Sequence, residues 1–111
     1  MAIPHAASGQ AIDVRPLGAA LATERTLALV KTDTLELFRM VLRAGRSAPP
    51  HKVPGEITVQ CLEGRVELTV EGVPQTLAAG QLVFLAGRVL HGLTALEDAS
   101  LLVTVLLAPA P

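Results

Sequence analysis

The chain has 111 residues, 50% of them hydrophobic, with no Trp or Tyr, only two Phe, and a formal net charge of −1. That length suits one domain with one core. The near-neutral charge and the lack of rings for stacking bases argue against nucleic acid or an anionic membrane as a partner. The apolar excess is aliphatic, and a mean hydropathy of +0.50 is high for a small monomer. Part of that surface is therefore expected to lie against a second copy.

In chain order, residues 1–10 read as a flexible tail, and His5 within it is discounted as a ligand. Pro16 to Glu24 is the one helical stretch, with Leu17, Ala20 and Leu21 on one side. Gly18 limits it to one or two turns. Strands are expected at 26–31 and 34–43, around the turn Thr32-Asp33. Ile57, Val59 and Cys61 share one parity of a further strand. Val66, Leu68 and Val70 alternate with Arg65, Glu67, Thr69 and Glu71, as a half-buried strand requires. Glu63-Gly64 and Glu71-Gly72 read as two-residue hairpin loops, in which Gly supplies the positive φ. Ala79-Gly80 and Glu97-Asp98 are further turns. Leu101, Val103, Val105 and Leu107 form one apolar face and Leu102 and Leu106 the other, so this strand reads as buried on both sides. Residues 109–111 are a tail, which leaves 11–108 as a single domain. Many short strands at regular spacing predict an all-β sandwich or barrel.

The run Leu101 to Ala108 is too short to span a bilayer. Residues 1–16 lack the pattern of a secretory signal. Cys61, alone in the chain, cannot form an intrachain disulfide, so a reduced, cytoplasmic protein is expected.

Two motifs give the barrel a family resemblance. Gly45 is followed after five residues by His51, and the stretch closes on Val59-Gln60-Cys61-Leu62-Glu63-Gly64. Gly80 is followed after five residues by Ala86-Gly87-Arg88, two more residues and His91. In this order and about 16 residues apart, they resemble the two motifs of the cupin family over residues 34–107. The resemblance implies a double-stranded β-helix barrel with a jelly-roll-like course. In metal-binding cupins these motifs carry three His and one Glu. His51 and His91 match the first and last histidine positions. Val53 stands at the second histidine position and Ile57 at the glutamate position, while Ala86 and Arg88 replace the Pro and Gly of the second motif.

The site candidates follow. His51, His91 and Glu56 would make a set of two histidines and one carboxylate for a divalent metal such as Fe, Mn, Ni or Zn. Parity opposes Glu56: if Ile57, Val59 and Cys61 face inward, Glu56 faces away unless Pro54-Gly55 re-aims it. The plainer readings are a strand histidine with a satisfied hydrogen bond for His91, a half-exposed loop histidine for His51, and a solvated carboxylate for Glu56. Cys61 reads as a small buried hydrophobe. Arg88 is a candidate clamp for a carboxylate or phosphate at the cavity mouth, or an exposed turn arginine. Val53, Ile57, Val59, Val83, Leu85 and Leu93 are candidate lining residues of an apolar cavity.

Three functions stay open: a cupin binding a small molecule with a partial or absent metal site, a metal-dependent dioxygenase or isomerase using His51 and His91, and metal-free acid–base catalysis by His91. A homodimer is expected, with residues 26–42 and the last strand supplying the contact.

Overall fold

Alternation decides the architecture. A strand with one apolar parity must bury that face, and two such sheets can bury theirs against each other. The computed structural model describes residues 5–107; residues 1–4 and 108–111, the expected C-terminal tail among them, lie outside the described residues. Within the described residues the strands are Leu27–Lys31 (β1), Leu35–Leu42 (β2), Ser47–His51 (β3), Ile57–Glu63 (β4), Arg65–Val70 (β5), Val73–Ala78 (β6), Leu82–Leu85 (β7), His91–Ala95 (β8) and Ala99–Leu106 (β9). They form a five-stranded sheet in the order β1-β2-β9-β4-β7 and a four-stranded sheet in the order β3-β8-β5-β6. All pairings are antiparallel. The expected all-β barrel is thus the observed fold. No helix among the described residues is long and apolar enough to cross a membrane.

The core lies between the sheets. Ile57, Val59 and Cys61 of β4 meet Leu101, Val103 and Val105 of β9, with Val66 and Leu68 of β5 and Leu93 of β8 opposite. The odd parity of β4 therefore faces inward, as its sequence indicates.

Three sequence expectations need correction. Glu63-Gly64 is not a hairpin loop, because β4 and β5 belong to different sheets. The chain turns a corner there, and two alternating runs around one Gly look the same in either case. Glu71-Gly72 is a true two-residue hairpin, closing β5 on β6 at Val70↔Val73. The stretch Ser47–His51 is a strand despite Pro49 and Pro50. It sits at a sheet edge, where a missing N–H breaks no ladder, and its register shifts between Ala48 and His51. The one helical stretch is a 3-10 turn, Gly18–Ala22, within the one or two turns expected, and it starts at a Gly with φ of 60°. Finally, β9 is buried on one face only: Leu102 is half-buried and Leu106 is 47% exposed.

The N-terminal segment covers the other end of that outer face. A bulge between Cys61 and Glu63 turns the Glu63 carboxylate to the outside of the sheet beside Ser100. There it accepts hydrogen bonds from Leu17 N at 2.8 Å, Gly18 N at 3.1 Å and the Ser100 hydroxyl. Arg39, also buried, donates to the Arg15 carbonyl at 3.0 Å. Leu21 is thereby packed down and Ser100 is fully enclosed.

Candidate functional site

β3 and β8 run side by side, and their register sets His51 directly opposite His91. Residues opposite one another in an antiparallel pair have neighbouring side chains. The two imidazole centroids are 4.6 Å apart with planes tilted by 50°. His91 is buried and His51 exposed. The Nδ1 of His91 lies 2.9 Å from the Val89 carbonyl, and the Nδ1 of His51 lies 3.3 Å from the Pro49 carbonyl. A carbonyl only accepts, so each Nδ1–H donates to it. In a neutral ring that tautomer leaves Nε2 as the acceptor. Metal-binding histidines are commonly oriented by such a second hydrogen bond.

Glu56 is exposed, in the loop before the inward-facing Ile57. Among the described residues, no three His, Cys, Asp or Glu side chains gather closely enough to hold a metal ion. The four-ligand metal centre of metal-binding cupins therefore does not fit these residues; a pair of imidazoles remains.

Beside that pair, a cavity of about 360 Å³ opens at the end of the barrel. Phe38, Val53, Ile57, Val105 and Leu107 give it apolar walls, and Pro54-Gly55 forms part of its rim. Its polar lining side chains are His51 and Glu36. Of the six apolar lining candidates, the structure brings Val53 and Ile57 to this cavity. Val59, Leu85 and Leu93 fill the core instead, at 2%, 4% and 5% exposure, and Val83 packs against it. The inward parity holds, but the barrel is filled deeper in, so only its mouth is hollow.

Arg88 is exposed and stands outside the cavity lining, yet its backbone N–H donates to the Val53 carbonyl at 2.7 Å. Its φ is 65°, a left-handed value that explains why the second cupin motif has Gly at this position. The adjacent Gly87 lets the loop close on the rim: a Cβ there would sit 2.2 Å from the Pro54 carbonyl oxygen. Together these contacts fix the mouth. Cys61 is fully buried, its thiol directed at the Glu63 and Gly64 carbonyls, and burial pushes its pKa up. It is a core residue remote from the imidazole pair's chemistry.

Sequence reasoning missed the lining that comes from β2, Glu36 and Phe38, and from the end of β9 and the residues after it, Val105 and Leu107. The signal lies in pairing: Glu36, Phe38 and Met40 stand opposite the inward residues Val105, Val103 and Leu101 of β9. Alternation on β2 alone is ambiguous, because Leu35, Leu37 and Val41 make the other face apolar as well.

A fold of two sheets closing on a mouthward His pair is what the two sequence motifs imply, and the family comparison decides it. The model of the cupin domain family matches residues 38–107. The chain belongs to the cupin family. Solved structures share this cupin's fold. A conserved protein of unknown function from Streptococcus pyogenes matches with a TM-score of 0.75 at 23% identity, covering 99% of this chain and 97% of that one. A cupin superfamily protein from Desulfitobacterium hafniense gives 0.75 at 17% identity, over 87% and 94%. A point mutant of salicylate 1,2-dioxygenase from Pseudoaminobacter salicylatoxidans gives 0.66 at 22% identity, over 72% of this cupin but 25% of that chain. At such identities the likeness concerns the fold alone. No curated protein sequence matches this cupin significantly.

Proposed function

We propose that this cupin binds a small, mainly apolar molecule at the barrel mouth and that it does so without a complete metal centre. The observation that carries this reading is the cavity of about 360 Å³, whose walls are aliphatic apart from Phe38, His51 and Glu36. That volume and that mixture of many apolar groups with a few polar ones suit a small-molecule site.

A second reading rests on the histidine pair. Two imidazoles 4.6 Å apart, each Nδ1 bonded to a carbonyl, are two of the ligands a bound divalent metal needs, and would serve an enzyme of the dioxygenase or isomerase kind. Elemental analysis of the purified protein separates the two readings. The binding reading expects metal well below one equivalent and unchanged in His91→Ala. A full equivalent of metal, lost in His91→Ala, would instead support the metal-dependent enzyme.

We further propose a cytoplasmic homodimer that uses the outer face of the five-stranded sheet. Phe84 is 61% exposed, Leu82 58% and Leu106 47% on that face. The chain mass is 11.5 kDa. Sedimentation at micromolar concentration is expected to give twice that mass, and Phe84→Glu is expected to halve it by placing a charge in the apolar contact. A wild-type protein sedimenting as a single chain would exclude the dimer.

A further inference from the structure

The cavity has a chemical polarity beyond being apolar. On β2, Glu36 faces inward in the same cross-sheet row as Val105, Ile57 and Leu85. Its carboxylate offers only acceptors. In the neutral tautomer that donates its Nδ1–H to the Pro49 carbonyl, His51 offers Nε2 as an acceptor as well. The cavity therefore presents hydrogen-bond acceptors and one negative charge, set in an apolar wall. The cation near Glu36 is Lys31, whose Nζ stands 3.4 Å from Glu36 Oε2. Lys31 is outside the cavity lining and its side chain is 46% exposed. An exposed pair of this kind is weak and readily exchanged for another cation.

We infer that the cavity takes a small apolar molecule with a donating or cationic head group, an amine or alcohol rather than a carboxylate, and that Glu36 selects it. This rests on the reading that the cavity binds a small molecule and adds the ligand class. A carboxylate entering the cavity would bring a second negative charge beside Glu36 and meet no donating side chain in the cavity lining. An ammonium would instead gain a charge-assisted hydrogen bond from its N–H to Glu36.

The test uses three probes of equal chain length: hexylamine, 1-hexanol and hexanoate. Each is titrated into the full-length protein at neutral pH, and the methyl NMR signals of Ile57, Val105 and Leu107 are followed. Hexylamine is expected to bind at least about tenfold more tightly than hexanoate, the worth of one charge-assisted hydrogen bond. Glu36→Gln is expected to remove most of that preference while leaving 1-hexanol within about twofold. Lys31→Ala is expected to tighten hexylamine by up to about fivefold, since it removes the competing cation. If hexanoate binds as well as hexylamine, or if Glu36→Gln leaves the preference intact, the ligand class is overturned and the binding cavity stands. If none of the probes moves the cavity methyls at millimolar concentration, the binding reading itself fails.

Discussion

Gly64→Ala is expected to destabilise the protein by about 3–5 kcal/mol, the upper range for a single substitution. Two costs add. A Cβ at this position would stand 2.2 Å from the Asp98 carbonyl oxygen and 2.9 Å from the Ala99 Cα. Both obstacles are backbone, so neither can swing aside as a side chain would. The residue also holds φ at 80°, a left-handed value that costs an L-residue about 1–2 kcal/mol. The close approach has a structural purpose. Gly64 is the corner where the chain leaves the five-stranded sheet and enters the other, and the β8–β9 connection crosses at the same place. Pushing the two apart would separate β4 from β9, which hold Cys61 and Leu101 in the core. Urea denaturation measures the loss. Gly72→Ala serves as the comparison, because nothing lies within 4 Å of its added Cβ although its φ is also 80°. That variant isolates the conformational cost, so equal losses in the two variants would show that the contact with Asp98 contributes nothing.

The same corner marks the limit of what the sequence discloses. Strand parity was legible wherever burial is one-sided: Ile57, Val59 and Cys61 alternate with half-exposed Thr58 and Gln60, and the structure buries the expected set. The hairpin at Glu71-Gly72 was legible because a two-residue loop between alternating runs is local information. Gly64 has the same local appearance, and whether a strand pairs with its successor or leaves for another sheet is settled by packing. β3 was hidden for a different reason. Pro49 and Pro50 argue against a strand, and only its edge position makes them compatible with one.

At the site, motif spacing located the two histidines, and their direct opposition follows from the β3–β8 register. The depth of the cavity was not legible. Val59 and Leu93 share the inward parity with Ile57, but the barrel closes over them, and this depends on side chains from both sheets at once. Glu36 escaped notice because β2 is apolar on both parities around it. The motif position of the missing glutamate is Ile57, and the structure sets Glu36 two strands away in the same row, across Val105. One inward carboxylate thus stands at the mouth, away from the motif position. That carboxylate shares the cavity lining with His51, and the chemistry it suggests is ligand selection.

Glu63→Ala is expected to cost about 2–3 kcal/mol at neutral pH, and that cost is expected to shrink on acidification. The carboxylate is the shared acceptor for Leu17 N, Gly18 N and the Ser100 hydroxyl. Truncation leaves these donors without it, and Ser100 is fully buried. The N-terminal segment then loses its anchor on the sheet. Burial pushes the Glu63 pKa up, but the hydrogen bonds from Ser100, Leu17 and Gly18, with the nearby Arg39 charge, outweigh it and hold the pKa below its ordinary value of 4.5. A carboxyl whose folded pKa is depressed contributes stability that is full above the unfolded value and declines as pH falls through the folded one. The wild type should therefore approach the variant in stability as pH drops below 4.5. Urea midpoints at pH 7, 5 and 3 check this; a gap that stays constant or widens toward pH 3 would contradict it. The cavity supplies a control. Ile57 and Glu63 stand at opposite ends of β4, about 20 Å apart at the rise of an extended strand. Glu63→Ala should accordingly weaken the fold while leaving hexylamine affinity at the barrel mouth unchanged, so the stability of the N-terminal anchor and the recognition of ligand can be altered independently.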